Sequence, residues 1–325
     1  MKTIFAIVTL CLLAATASAA MEGAWTAQPH DHDPNKLQVS LSYSRSSHHG
    51  FSYTLTELGL TREQVYTAVQ TPVQFSWKRQ AGTAVFDGVF RNGRGGGQVV
   101  FTPNRKYPEE IRALGVAVNA GANDEELFTL AMVDVSAPYI RSMQAEGFRV
   151  PLEKYMTMAM FRVTPEYIRE MRALVGRDVS ADRLVELKIH EVTPEYIREM
   201  RVSRPELSLQ DLVQARIFKV TPEFAEEMAR AGYRNLSHND LVQFRIHQVT
   251  SEYIRELAAL GYKDIPAARL VEMRIHRVTP EYIRQLAAAG YHNVPVRKLI
   301  EMRIHRIEPK LLEKMREPAR KDRSQ

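Results

Sequence analysis

The 325-residue chain is poor in cysteine and tryptophan: it holds one Cys, Cys11, and two Trp. One thiol cannot form an internal disulfide, and Cys11 lies inside an N-terminal apolar run, so the rest of the chain has no thiol nucleophile. Long apolar runs are equally scarce. Past the first twenty residues none approaches the roughly 20 residues needed to span a bilayer, so no membrane span is expected. Charge of one sign gathers in no block. The formal net charge is +6 and the pI about 9.3, but Lys and Arg alternate with Glu, which argues against nucleic acid as the partner. No Ser/His/Asp or Cys/His set is visible, and the carboxylates sit at regular slots beside Arg rather than as a general acid–base pair. His190-Glu191 looks like the opening of a zinc-protease helix. That motif needs a second His four residues after the first, and Pro194 stands there. No enzyme, no cofactor and no metal are expected.

What is present begins with an export signal. Lys2 supplies a positive start, Ile4 to Ala15 an apolar run, and Ala17-Ser18-Ala19 a small-residue cleavage site. Residues 1–19 therefore read as a signal peptide, and the chain as periplasmic or secreted. Residues 20–36 are polar and carry His30-Asp31-His32-Asp33, with His48-His49 downstream. Ligands for a divalent ion are there, but no helix or hairpin spacing orders them, and a solvated strip is the plainer reading. From 37 to 105 the period changes. Leu37, Val39, Leu41 and Tyr43 alternate with polar residues as in a half-buried strand. Phe51–Leu55, Val73–Trp77, Thr83–Phe90 and Gln98–Thr102 read as further strands, and Thr61–Val69 as a short helix. A small, mainly β domain of four or five strands is expected. The run Arg91-Asn92-Gly93-Arg94-Gly95-Gly96-Gly97 resembles a phosphate cradle, but a strand follows where such a loop needs a helix. A hairpin turn with positive φ is expected, with an anion site at Arg91 and Arg94 as the alternative.

The remainder is a repeat. Val-Thr-Pro-Glu-Tyr-Ile-Arg begins at Val163 and Val192 and recurs with changes at Val220, Val249 and Val278, at steps of 28 or 29 residues. Each copy opens a helix: Thr164 as N-cap, Pro165 at the first helical position, Glu166 in the first turn, and a staple of Val163 with Ile168. Gly232, Gly261 and Gly290 close that helix in a left-handed conformation. A second start and a short helix such as Leu184–His190 follow. Counted from both ends, hairpins fall at 106–134, 135–162, 163–191, 192–219, 220–248, 249–277 and 278–306, with a capping helix at 307–317 and a basic tail at 318–325. The fold class is thus α+β, mainly α: a small N-terminal β domain followed by an α-solenoid-like array of ~29-residue helix-turn-helix repeats. The hairpin at 192–219 lacks the Gly turn and carries Pro205, which marks an irregular join near 200–230.

Two repeating slots invite a functional reading. His190, His247, His276 and His305 share one, but Phe161 and Phe218 fill it in other copies, and phenylalanine ligates no metal. The slot reads as packing. Met156, Met158 and Met160 likewise read as core filling. The other slot holds Arg141, Arg169, Arg198, Arg255 and Arg284, flanked by Tyr139, Tyr167, Tyr196, Tyr253 and Tyr282, and interrupted by Phe224 and Glu226. In one reading Glu166 and Arg169, three residues apart, pair on the helix surface while the tyrosines pack between neighbours. In the other it is an Arg/Tyr track for an extended protein or peptide partner, with Arg141, Arg169, Arg198, Arg255, Arg284, Tyr167, Tyr196, Tyr253 and Tyr282 as contacts.

Strings such as Val-Thr-Pro-Glu-Tyr-Ile-Arg followed by Leu-Val-Glu-Met-Arg-Ile-His resemble repeats appended to bacterial membrane metallopeptidases of the beta-lactam-sensor (antirepressor) family, and repeats of exported proteins that carry them alone. The likeness covers about 106–306. The peptidase motif and membrane helices are absent here, so no catalytic residue transfers. The resemblance implies a bacterial envelope setting and a sensing or binding role. The expectation is an exported, non-enzymatic protein- or peptide-binding repeat protein, with an extracytoplasmic ligand or metal sensor acting through the β domain as the alternative. One hairpin buries too little apolar surface to offset the entropy of ordering it. A peptide of residues 249–277 alone is therefore expected to give a coil spectrum by far-ultraviolet circular dichroism. A stable helical spectrum in dilute solution would show that a hairpin needs no neighbour.

Overall fold

The computed structural model describes residues 20–31, 33–44, 47–118 and 122–316. The signal-peptide segment 1–19, His32 and the basic tail 318–325 lie outside the described residues, as do the side chains of His48 and His49. The chain divides into two compact units between Ile168 and Arg169.

The first unit holds the sheet: β1 (Met21–His30), β2 (Asp33–Ser44), β3 (Ser47–Thr54), β4 (Thr71–Arg79), β5 (Gly82–Arg91) and β6 (Arg94–Pro103). All neighbours are antiparallel, in the order β3-β2-β1-β6-β5-β4. Six strands stand where four or five were expected, because the supposed polar strip contains β1, a central strand. Its inward side chains are Met21, Gly23, Trp25, Ala27 and Pro29. Small residues at two of these positions hide the alternation that a reading by apolar size depends on. His30 and Asp33 accordingly face each other where β1 passes into β2; there the Asn35 amide donates to Asp33 Oδ1 at 2.9 Å and Lys36 pairs with the Asp33 carboxylate at 3.3 Å.

The glycine-rich run is a hairpin turn. Asn92 and Gly93 take φ of 51° and 81°, and Arg91 faces Arg94 across it. Gly95 and Gly97 belong to β6 and make room: a Cβ on Gly95 would meet the Phe90 ring at 2.6 Å, and one on Gly97 the Asp87 carbonyl at 1.9 Å. Trp25, Phe75, Phe86 and Phe90 form the aromatic centre, with Phe75 and Phe86 stacked 4.6 Å apart. The sheet curls until Tyr53 of edge strand β3 lies 4.8 Å from Trp77 of edge strand β4. Two short capped helices, α1 (Leu55–Leu58) and α2 (Arg62–Tyr66), bridge β3 to β4.

The same unit includes α3 (Tyr107–Arg112), α4 (Asp124–Met132), α5 (Ala137–Ala145) and α6 (Leu152–Met160). They are not separable from the sheet: Phe128 of α4 packs on Phe101 and Tyr43 at 4.9 and 5.2 Å, and the Tyr53 hydroxyl donates to the Met132 carbonyl at 3.0 Å. A boundary at 105, drawn from the change of period, therefore does not divide the packing. The helices use their apolar face to cover the sheet.

From α7 (Pro165–Val175) onward the chain is helical: α8 (Ala181–Ile189), α9 (Pro194–Ser203), α10 (Leu209–Ile217), α11 (Pro222–Arg230), α12 (His238–Ile246), α13 (Ser251–Ala259), α14 (Ala267–Ile275), α15 (Pro280–Ala288), α16 (Val296–Ile304) and α17 (Pro309–Arg316). Within the second unit α10 packs on α12, α12 on α14 and α14 on α16, while α13 packs on α15 and α15 on α17. First helices thus meet first helices, and second meet second.

Both kinds of helix stop on a left-handed residue. First helices use glycine, with φ of 103°, 93° and 89° at Gly232, Gly261 and Gly290. Second helices use Asp134, Arg162, Glu191, Lys219, Gln248, Arg277 and Arg306, with φ between 53° and 57°. The next residue donates back across the turn: Val249 N–H to the Phe244 carbonyl and Val278 N–H to the Met273 carbonyl, each at 2.8 Å. A left-handed non-glycine residue costs about 1–2 kcal/mol, against about 0.5–1 kcal/mol of added chain freedom for glycine. Gln248→Gly is expected to raise stability by about 0.5–1 kcal/mol in urea unfolding, and Gly261→Ala to lower it by about 1 kcal/mol.

Candidate functional site

The expected contact surface comes from the first helix of each hairpin. Its geometry begins at the cap. The hydroxyl oxygens of Thr193, Thr250 and Thr279 accept the backbone N–H of Tyr196, Tyr253 and Tyr282 at 3.2, 3.1 and 3.1 Å. This fixes each tyrosine at the third helical position. One residue later an isoleucine enters the core, so the tyrosine ring lies at the inner margin of the helix and the arginine two positions on points outward.

Exposure separates the two halves of the candidate track. Arg141, Arg169, Arg198, Arg255 and Arg284 are all exposed. Arg198 pairs with Glu195 at 3.2 Å, and Arg284 with Glu281 at 3.3 Å and Glu256 at 3.6 Å. The Arg255 Nε donates to the Ser251 carbonyl at 3.3 Å. Such exposed pairs contribute little to stability. Tyr167, Tyr253 and Tyr282 are buried, at 7%, 5% and 4% exposure, and Tyr196 is half-buried. The track drawn from the sequence is therefore an arginine row, because the tyrosines face inward.

The tyrosines do something else. Tyr253 donates its hydroxyl proton to the Val278 carbonyl at 2.7 Å and Tyr282 to that of Ile307 at 2.8 Å, each acceptor opening the next repeat. Tyr139 does the same to Val163 at 3.2 Å. A second set joins the turns: Tyr233 to the Ile265 carbonyl at 2.7 Å and Tyr262 to that of Val294 at 2.8 Å. In the hairpin without the Gly turn, Arg204 occupies the equivalent slot and donates to the Leu236 carbonyl at 3.2 Å. The join near 200–230 thus keeps its turn-to-turn bond through a different donor. Tyr196 does not make this bond: its hydroxyl is buried with no hydrogen-bond partner among the described residues.

A second arginine row was missed in the sequence. Arg216, Arg245, Arg274 and Arg303, on α10, α12, α14 and α16, lie over the rings of Tyr196, Phe224, Tyr253 and Tyr282 at 4.5, 3.7, 4.9 and 4.8 Å. The Nε atoms of Arg216, Arg274 and Arg303 also donate to the carbonyls of Glu191, His247 and His276 at 3.2, 3.1 and 3.3 Å, capping the preceding second helix. The constant spacing of aromatic and arginine through the repeats was the available signal. The histidine slot is explained by the same contacts, since His190, His247, His276 and His305 are the C-cap residues of their helices. Among the described residues no group of three or more His, Cys, Asp or Glu is placed to hold a metal.

The first unit carries a groove of about 870 Å³ beside β3, lined by Phe51, Tyr53, Met160 and two ion pairs: Arg79–Asp134 at 2.6 Å and Arg162–Glu57 at 3.2 Å. Burial works to raise the Glu57 carboxyl, but the bonds from Thr54 and the Arg162 guanidinium outweigh it and hold that group below its usual range. Comparison with known protein families, with curated proteins and with solved structures finds no match.

Burial raises the phenol pKa of Tyr233, Tyr253, Tyr262 and Tyr282 above the ordinary 10.0. The folded state holds these protons more tightly than the unfolded chain does. Their stabilising effect is complete below the unfolded phenol value and declines as pH rises from there through the folded values. The urea midpoint is expected to fall from about pH 9 to about pH 11, and to fall less in a Tyr253→Phe/Tyr282→Phe variant. At neutral pH, Tyr253→Phe orphans the Val278 carbonyl and is expected to cost about 1–2 kcal/mol in urea unfolding. Tyr196→Phe, whose hydroxyl bonds nothing, is expected to be neutral.

Proposed function

We propose that this chain is an exported, non-enzymatic protein- or peptide-binding repeat protein of the bacterial cell envelope. The packing of alternate helices, α10 on α12 on α14 on α16 and α13 on α15 on α17, supports a solenoid-like array. Arrays of this kind present one side chain per repeat along an extended face. The observation that carries the reading is the exposed row of Arg198, Arg255 and Arg284 on first helices, the last two of which are bonded to the next repeat through Tyr253 and Tyr282. Guanidinium groups held at repeated positions suit carboxylate-bearing or backbone acceptors of an extended partner. The export signal and the repeat resemblance support the envelope setting.

The groove of the first unit favours a second reading, an extracytoplasmic sensor of a small ligand. Its paired charges and apolar walls are the usual lining of a small-molecule site.

Cross-linking in the native envelope followed by mass spectrometry separates the two. A defined protein neighbour is expected with the wild type, and about tenfold less of it with Arg198→Ser/Arg255→Ser/Arg284→Ser. Recovery of no neighbour, together with calorimetric binding of a small anionic metabolite that Arg79→Ser abolishes, would replace the first reading with the second.

A further inference from the structure

The second helices carry an exposed row that neither reading uses. Ile217, Ile246, Ile275 and Ile304 close α10, α12, α14 and α16, and are 47%, 43%, 51% and 51% exposed. Ile189 of α8 holds the same slot at 49%. A single exposed isoleucine is ordinary. Five in one slot are not, since the exposed slot seven residues earlier on the last four of these helices reads Gln210, Asn239, Ala268 and Arg297. Position on the surface alone therefore lets the residue vary. Helix closure does not demand isoleucine either: the apolar pair across each helix stop is already Val220 with Ala215, Val249 with Phe244, Val278 with Met273 and Ile307 with Met302.

The surroundings are of one sign. The residue before each of these four isoleucines and the two after it supply Arg216, Lys219, Arg245, Arg274, Arg277, Arg303 and Arg306, together with His247, His276 and His305, and no Asp or Glu. Carboxylates beside the strip are already engaged: Glu272 by Arg269, Glu301 by Arg297 and Lys298, Glu308 by Arg303, and Glu191 lies 4.0 Å from Arg216. Arg277 and Arg306 are exposed and make no ion pair among the described residues. Because α10, α12, α14 and α16 pack in succession, the rungs follow one another at a helix-to-helix spacing of about 8–10 Å. A chain in the polyproline II conformation has three residues per turn, so every third side chain returns to one face after a rise of about 9 Å.

We infer that this strip is a docking surface for an acidic peptide segment in the polyproline II conformation, bearing an apolar side chain at every third residue. The apolar residues cover the isoleucines, and the intervening carboxylates meet Lys219, Arg277 and Arg306. The strip lies on the other helix of each hairpin from the row of Arg198, Arg255 and Arg284, and does not depend on it.

The test is fluorescence anisotropy of the purified full chain with a labelled peptide of about twelve residues repeating Leu-Asp-Glu, whose like charges keep it open and whose three-residue repeat places its leucines on one face of a polyproline II helix. Saturable binding is expected, weakened at least about tenfold by Ile246→Ser/Ile275→Ser/Ile304→Ser. A similar loss is expected from Arg277→Glu/Arg306→Glu. Circular dichroism and urea midpoints verify that each variant is folded. The inference is overturned if the peptide does not bind, if the isoleucine variant binds it unchanged, or if a peptide of the same composition with its leucines clustered binds equally well. It is also overturned if only vesicles of phosphatidylcholine and phosphatidylglycerol bind, which would make an anionic membrane the occupant. Failure of the peptide alongside an envelope neighbour lost in the arginine variant would remove this inference and leave the proposed function standing.

Discussion

Every second helix ends on the same backbone bond, an N–H reaching back across a left-handed residue to a carbonyl one turn inside the helix. That closure sets the direction in which the chain leaves. The donor residue is Val or Ile and goes into the core; the residue after it is, in the clear copies, the threonine that caps the next helix. Each join is four residues with every backbone state assigned: C-cap, left-handed residue, buried valine, extended threonine. Joins so short and so constrained have little freedom to vary the angle between one hairpin and the next.

Polar atoms inside the helical stack are placed to serve those joins. A phenol from one hairpin satisfies the carbonyl that opens the next, and an arginine caps the helix end before it while lying on an aromatic ring. The substitution of Arg204 for tyrosine in one turn shows what is required there: a donor that reaches the Leu236 carbonyl, whatever its chemistry. Outward-facing slots are free of that demand. Some of them nevertheless keep the same residue through the repeats, as with Arg255 and Arg284 or Ile275 and Ile304.

Much of this was legible in the residues. Thr-Pro-Glu marked helix starts because each residue answers a separate need of the first turn, and Gly261 marked a stop because glycine alone enters left-handed backbone at no steric cost. The stops at Glu191, Gln248 and Arg277 were illegible for the converse reason: their side chains carry no left-handed signal, and the conformation is imposed by the buried valine that follows. β1 was missed because Gly23 and Ala27 fill inward positions with too little apolar bulk to show a period. In the candidate track, Arg198, Arg255 and Arg284 were placed on the surface correctly. For Tyr253 and Tyr282 the packing reading fits and the contact reading does not, since a phenol suits either side of a helix until a carbonyl partner is known.

The sequence by itself determined the period, the helix starts, the glycine stops and the strands of alternating pattern, because each of these is decided within about one turn or one hairpin of chain. Only the tertiary structure decided that the sheet shares its core with α4, that the tyrosines bolt one repeat to the next, and that isoleucines 29 residues apart fall on helices that pack together. Those outcomes depend on which apolar face finds which partner and where a buried donor meets an acceptor some 25 residues away, and local propensity carries no information about either.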